Sequence, residues 1–324
     1  MKIEPGKTPD QSILKAGDPP AKVLIDGVSA SELASFFGKT ARRDAWARPG
    51  RVVEASLPGD SRKPERAPDF ERDLHDGRVE MHSGAPSRLT MDSNHREPRL
   101  QMPESLLSLV AQQWARLGYM ALHAAAIEIA GLRLLVVGDS CTGKSTLALA
   151  AMACGGKVVS DDWVLLQQDG KHVTASALRS SMQLRTSRPV EALLTELDEG
   201  NRRTRPSTAT GRLWLDLSQT RTSLHSLQID QVLFLSAPTG ERDRLSRFRR
   251  ISPLQARAAL VASGGAILFS SRFDQESRKL QRLASALEEL PLRLGATGDD
   301  VWANASTFWD SLSTTIYGTT LPHP

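Results

Sequence analysis

The chain has 324 residues, of which 40% are hydrophobic and 5% aromatic, and its 41 basic and 37 acidic side chains leave a formal net charge of +4. This length suits one large or two modest domains, and interspersed charges of both signs give no reason to expect nucleic acid as a partner. With two cysteines, no apolar run of the ~18 residues that span a membrane and no signal-peptide core, we expect a reduced, cytoplasmic protein without a membrane partner.

Residues 1–98 predict a small accessory region of short strands and long loops, which is a candidate for substrate recognition. Residues 1–20 are polar and proline-rich, which is typical of a loose terminus. Strands are predicted for AKVLIDGVSA, RVVEASLPG, GRVEMHSG and SRLTMD, and a helix for SELASFFGKTARRDAWAR with Ser31 as its N-cap. The stretch DSRKPERAPDFERDLHDG is too polar to pack.

Residues 99–324 alternate strands with helices, which predicts an α/β domain. A helix over Leu106–Leu117 is followed by a strand over Ala124–Ile129, a buried strand LRLLVVG and a helix KSTLALAAMAC. KVVSDDWVLLQQ and HVTASAL flank Asp169-Gly170, which predicts a hairpin. DQVLFLSA predicts a further strand, and PLQARAALVAS and DQESRKLQRLASALEEL predict two more helices.

The most specific motif is G-x-x-x-x-G-K-[ST], a phosphate-binding loop between a strand and a helix. Its glycines let backbone N–H groups surround phosphate oxygens, the helix adds its positive end, Lys144 reaches the outer phosphates and Ser145 ligates Mg²⁺. The residues predicted to bind nucleotide are Gly138, Ser140, Cys141, Thr142, Gly143, Lys144, Ser145 and Thr146. Cys141 has two interpretations: a small side chain pointing away, or a thiol with a lowered pKa in an electropositive site. Cys154 ends an apolar helix and is expected in the core.

Two adjacent acids, Asp161 and Asp162, follow Lys144 by only 17 and 18 positions inside an apolar strand. A helix of about 11 residues carries the chain roughly 16 Å from the phosphates, and a short strand can return most of that length. The acids should therefore lie beside the loop. Because neighbouring strand residues face opposite sides, one acid should face the nucleotide site, while the other turns toward a second partner or sits at an irregular position. Trp163, next in sequence, is expected in the core.

These stretches resemble the HPr kinase/phosphorylase family, and are closest to stand-alone HPr-kinase-like peptide-tailoring kinases such as those of lasso peptide clusters. The similar segments are LHAAAIEIAG with His123, GDSCTGKST and KVVSDDWVLL, with a weaker similarity that extends to residue 316. The resemblance does not cover residues 1–98. It implies a nucleotide domain like that of PEP carboxykinase and phosphorylation of a serine-type hydroxyl by ATP and Mg²⁺.

Residue roles follow from the same resemblance. Lys144 and Ser145 would hold phosphate and metal, Asp161 would be the general base, Asp162 would lie on the metal side, and His123 would lie near the transferred phosphate. The two acids could exchange roles, and His123 could instead be a buried core histidine.

The sequence departs from the family in three places. Cys141 stands where glycine is usual, Thr146 replaces a common acidic residue, and arginines in ALRSSMQLRTSR replace the acid-bearing E-I-R-G-x-G segment. Arg179 and Arg185 there could contact phosphate or a peptide carboxylate in bidentate fashion, or lie on the surface. Arg202, Arg203 and Arg205 cluster in a polar loop. A second cluster could contact the transferring phosphate, or form a solvated or subunit-contacting basic patch; it comprises Arg242, Arg244, Arg247, Arg249 and Arg250.

The motifs together predict a kinase that transfers the γ-phosphoryl group of ATP to a serine-type hydroxyl of a peptide or protein, a ribosomally made peptide among the candidates. The alternatives are an HPr(Ser) kinase proper, a small-molecule hydroxyl kinase and a non-catalytic nucleotide sensor. Members of the resembling family often assemble, so the resemblance leaves a homo-oligomer as an open alternative.

Overall fold

A computed structural model of the chain describes residues 2–9, 11–16, 21–26, 52–56, 70–74, 77–81, 87–91, 104–178, 181–197, 204–207, 212–217, 220, 222–236, 246–260 and 274–317. The chain divides into two compact units: Met1–Ala121 with Ile267–Leu280, and Leu122–Ala266 with Gln281–Pro324. The sequence predicted a boundary at 98/99. The difference arises because helix α1, Glu104–Arg116, contacts strands of the N-terminal sheet.

The N-terminal unit is built on a seven-stranded antiparallel sheet in the order β1-β2-β3-β4-β7-β6-β5. Its strands are β1 Lys2–Pro5, β2 Gln11–Ala16, β3 Ala21–Asp26, β4 Val52–Ser56, β5 Phe70–Leu74, β6 Gly77–Met81 and β7 Ser87–Met91. The prediction of a loose terminus over residues 1–20 is wrong, because β1 and β2 pair and Leu14 is buried. β5 lies in the stretch DSRKPERAPDFERDLHDG, which the sequence predicts to be too polar to pack. It is an edge strand that pairs only with β6, and an edge strand tolerates polar residues.

Helix α1 forms on an apolar stripe and covers this sheet. Leu109, Val110 and Trp114 are fully buried, and the helix contacts β3, β4, β6 and β7. The Trp114 and Tyr119 rings meet edge to face with centroids 5.3 Å apart. The helix predicted over residues 31–48 lies outside the described residues.

The second unit contains a nine-stranded mixed sheet in the order β16-β12-β11-β8-β9-β17-β19-β18, with β10 also pairing to β8. Its strands are β8 Met120–Ile129, β9 Leu132–Gly138, β10 Lys157–Ser160, β11 Trp163–Asp169, β12 His172–Ala177, β16 Ser226–Ile229, β17 Gln231–Leu235, β18 Arg247–Arg250 and β19 Leu292–Ala296. β9, β17 and β19 run parallel, so their carboxyl ends meet at one edge.

Helices and a small sheet complete the described part of this unit. The helices are α2 Lys144–Ala153, α3 Arg188–Glu196, α4 Pro253–Leu260, α5 Asp274–Glu289, whose first turns belong to the N-terminal unit, α6 Asp300–Ala303 and α7 Ala305–Tyr317. The strands β13 Ser181–Arg185, β14 Thr204–Ser207 and β15 Arg212–Asp216 form a three-stranded antiparallel sheet. The α/β class, the helices predicted near residues 106–117 and 144–154 and the hairpin around Asp169-Gly170 are confirmed, whereas the strand predicted over KVVSDDWVLLQQ is divided into β10 and β11.

The core around α2 holds the phosphate loop in place. Leu147, Leu149 and Met152 on α2 are buried with strand residues such as Val136 and with Trp309 of α7. α2 contacts α3, α6 and α7. The loop ends where α2 begins, at Lys144. Packing of the rest of the helix therefore fixes the position of the end of the loop.

Candidate functional site

The loop from Gly138 to Gly143 connects the end of β9 to the start of α2, as the motif predicts. Gly143 has φ +103°, and a methyl group built in place of its hydrogen would lie 2.8 Å from Thr297 Oγ1. A methyl at Gly138 would lie 2.7 Å from both the Leu235 carbonyl oxygen and Thr142 Oγ1. Both glycines are therefore required by the space around the loop, and Gly143 also by its left-handed backbone.

Lys144 is folded into the loop, where it is 5% exposed. Its Nζ donates to the carbonyl oxygens of Gly138 at 2.6 Å and Asp139 at 2.9 Å. Thr142 Oγ1 donates to the same Asp139 carbonyl at 2.9 Å. These bonds hold the side chains of Lys144 and Thr142 against the backbone of the first two residues of the motif.

The remaining loop residues differ in exposure. Ser140 and Cys141 are exposed, with Ser140 Oγ 3.6 Å from Cys141 Sγ, whereas Ser145 and Thr146 are half-buried on the first turn of α2. Cys141 has φ 69°, in the left-handed region that glycine occupies at least cost. Glycine, which is usual at this position in the family that the sequence resembles, is the residue that this conformation favours.

The two acids occupy a break in a strand, between the end of β10 at Ser160 and the start of β11 at Trp163. β8 borders both strands, and the β10–β8 register slips between Val158 and Ser160. Asp161 is 1% exposed, whereas the Asp162 side chain is 28% exposed. The acids therefore have different surroundings, at an irregular point of the strand.

His123, on β8, stands against this break. Its Nε2 lies 3.0 Å from Asp162 Oδ1, and its ring stacks on Trp163 with centroids 5.4 Å apart and 24° between planes. The backbone N–H of Asp162 donates to Ser160 Oγ at 3.5 Å. The prediction that Trp163 packs in the core is wrong, because its side chain is half-buried and forms one wall of the His123 site.

Electrostatics connects the loop to the strand break. Burial lowers the pKa of the Lys144 ammonium, and the charges of Asp162, Asp161 and Asp139 oppose that shift. The geometry gives the same connection: Ala124 of β8 pairs with Val137 of β9, so His123 and its contact Asp162 lie beside Gly138, where the loop begins. The structure thus brings Lys144, Asp161, Asp162 and His123 to one end of α2.

The arginines predicted to contact phosphate or substrate lie on strands of this unit or outside the described residues. Arg185 is exposed at the end of β13, and Arg247, Arg249 and Arg250 are exposed on the edge strand β18. Arg205 lies on β14. The candidates outside the described residues are Arg179, Arg202, Arg203, Arg242 and Arg244.

Sequence reasoning missed Thr297, whose hydroxyl lies against Gly143. It follows β19, more than 150 positions after the loop, and no motif marks it. Only the parallel pairing of β9, β17 and β19 brings the segment to the loop, so no local signal could have identified this residue.

The loop residues fit the phosphates of a nucleotide. Two glycines keep its backbone clear of side chains, and no side chain among the described residues caps the amino end of α2. Backbone N–H groups at such a helix end bind anions. A serine hydroxyl and a carboxylate are ligand types that Mg²⁺ accepts beside substrate phosphates. Within the described part of the chain, no three His, Cys, Asp or Glu side chains form a metal-binding group.

Comparisons with known proteins include a distant structural likeness. No family model matches the chain, and no curated protein sequence matches it. A solved structure of the HPr(Ser) kinase/phosphatase from Coxiella burnetii is similar at 15% identity and a TM-score of 0.32, over 61% of this chain and 98% of that one. In the described residues, no helix has the length and apolar character needed to cross a membrane.

Proposed function

We propose that the chain is an ATP- and Mg²⁺-dependent kinase that phosphorylates a serine-type hydroxyl of a peptide or protein, on a nucleotide domain like that of PEP carboxykinase. One observation carries the proposal: the pairing of β8 with β9 places His123 and its 3.0 Å contact Asp162 beside the first residue of a phosphate-binding loop. A loop alone binds nucleotide, whereas phosphoryl transfer also needs a carboxylate beside the acceptor. A ribosomally made peptide such as a lasso peptide is one candidate acceptor.

The chain's residues would divide the work between holding phosphate and receiving a proton. When bound, ATP would supply the phosphoryl group and Mg²⁺ would neutralise charge on its oxygens. Lys144 and the backbone N–H groups at the start of α2 would bind phosphate oxygens, and Ser145 would contribute a metal ligand. Asp161 would accept the proton of the acceptor hydroxyl, and Asp162 would lie on the metal side.

One observation favours the exchanged roles for the two acids. Asp162 is the more exposed and contacts His123, so it is more accessible to an incoming acceptor than the buried Asp161. In either assignment His123 restrains Asp162 and lies beside the reacting groups. The acids therefore need to be tested separately.

The test measures two quantities on the full chain: the affinity for ATP, by calorimetry with Mg²⁺, and transfer of radioactive γ-phosphate to a library of serine-containing peptides. Loss of a general base lowers transfer by about 10²–10⁴-fold. We expect Asp161→Asn to lose transfer by this factor while its ATP affinity stays nearly unchanged. We expect Asp162→Asn to need a higher Mg²⁺ concentration for half-maximal transfer.

The matched pair of variants makes the outcomes distinct. If Asp162→Asn abolishes transfer and Asp161→Asn only changes the Mg²⁺ requirement, the roles are exchanged. If Asp161→Asn and Asp162→Asn both keep full transfer, the chemistry assigned to the acids is wrong. A wild-type protein that binds ATP, transfers nothing and recruits a partner in an ATP-dependent way without either acid would instead be a sensor.

A further inference from the structure

A second loop lies at the same sheet edge as the phosphate loop. Gly138 at the end of β9 pairs with Leu235 of β17, and Leu235 pairs with Gly295 of β19. The carboxyl ends of these three parallel strands therefore meet. In α/β sheets ligands bind beyond such ends, and the segment that leaves β19, residues 297–299, lies there beside the phosphate loop.

Thr297 is the residue of this segment that meets the phosphate loop. Its Oγ1 occupies the side of Gly143 on which a side chain would project, 2.8 Å from a methyl group built there. Gly143 is the residue with φ +103° immediately before Lys144. A small oxygen fits this space, whereas a methyl carbon in the same place would crowd the glycine. Thr297 is itself half-buried.

The segment is held by a hydrogen-bonded anchor. Ser246 Oγ donates to Asp300 Oδ1 at 2.6 Å, and the Ser246 backbone N–H donates to the same carboxylate at 3.0 and 3.1 Å. Gly298 N–H donates to Ser246 Oγ at 2.8 Å. Ser246 thereby ties the residue after Thr297 to the start of α6, a helix that packs on α2. Thr297 thus approaches Gly143 from a fixed position.

We propose that Thr297 is a positioning residue of the nucleotide site: its hydroxyl supports Gly143 in the left-handed conformation that points the N–H groups of the loop at phosphate. The inference rests on the proposed function, because it assumes that this loop binds a nucleoside triphosphate. Ser246 and Asp300 position Thr297 in turn. The β19–α6 segment is then the second wall of the phosphate site.

The test compares variants that keep or lose the oxygen, using calorimetric titration of the full chain with ATP, ADP and adenosine. A contact of this kind contributes about 2- to 10-fold in affinity. We expect Thr297→Val to weaken ATP and ADP binding by this factor at a temperature where the variant is still folded, and Thr297→Ser to keep wild-type affinity. Thr307→Val, at an exposed threonine on α7, is the control and should leave affinity unchanged.

A double-mutant cycle tests the anchor. Because Ser246 acts through the position of Thr297, Ser246→Ala should weaken ATP binding alone but add little to Thr297→Val. Equal ATP affinity of wild type and Thr297→Val, failure of Thr297→Ser to restore binding, or full additivity would overturn the inference and leave the kinase proposal standing. A wild-type protein that binds no nucleotide would overturn both.

Discussion

The phosphate loop and the strand break at Asp161 and Asp162 lie at the same end of α2 but are built differently. The loop is a continuous segment whose groups are mostly backbone, shaped by glycines at 138 and 143 and by bonds from Lys144 and Thr142 to carbonyls of the same loop. The break is an assembly of side chains, with His123 contributed by β8 and Trp163 by β11.

This difference predicts how each region fails. A backbone site depends on conformation, so one added methyl group can remove its function. A side-chain site depends on several partners that can be changed one at a time, so its losses should be graded. Binding should follow changes in the loop, and transfer should follow changes in the strand break.

Of the substitutions that separate the two regions, Gly143→Ala should cause the largest loss of stability and of ATP binding. A side chain at φ +103° costs about 1–2 kcal/mol, and crowding against Thr297 adds roughly 1–3 kcal/mol of overpacking. We expect the free energy of unfolding to fall by about 2–5 kcal/mol. ATP binding should be lost in calorimetric titration at a temperature where the variant is still folded.

Gly155→Ala is the matched control for this prediction. Gly155 also has a positive φ, +77°, but nothing lies within 4 Å of an added methyl group. Urea unfolding should show only the backbone cost of about 1–2 kcal/mol, with ATP affinity retained. Equal losses of stability in both variants would mean that Thr297 does not crowd position 143.

The two regions were also unequally predictable from sequence. The loop and its flanking strand and helix follow from eight consecutive residues and their neighbours, because each interaction that shapes them is local. The spacing from Lys144 placed the acids near the loop, but the unequal burial of Asp161 and Asp162 depends on a slip in pairing with β8 that no residue signals. Thr297 and the stacking of Trp163 on His123 depend on strand order, which the sequence pattern does not determine.

Trp163→Leu should have an intermediate effect, confined to the strand break. Stacked aromatic pairs contribute about 0.5–1.5 kcal/mol beyond buried area, so urea unfolding should show a loss of about 1–2 kcal/mol. Phosphate transfer should fall because His123 loses one wall of its site, while ATP affinity stays near that of wild type. Trp163→Phe keeps an aromatic partner for His123 and should retain most of both quantities.

A different outcome for Trp163→Leu would change the comparison itself. If ATP affinity falls as far as in Gly143→Ala, the loop and the strand break form one cooperative site. Retention of full transfer would mean that the His123 ring needs no support from Trp163.

Cys141→Gly should have the smallest effect, and its sign is the informative part. The left-handed backbone at φ 69° costs a side chain roughly 1–2 kcal/mol, whereas glycine costs about 0.4–1 kcal/mol through the entropy of the unfolded chain. We expect a net gain of about 0.5–1 kcal/mol in the free energy of unfolding, with ATP affinity equal to or above wild type. Cys141→Ala keeps the strained backbone and should gain nothing. If Cys141→Gly instead loses ATP affinity while Cys141→Ala keeps it, the loop needs a side chain at this position to restrict its backbone, and the loop is not the purely backbone site described above.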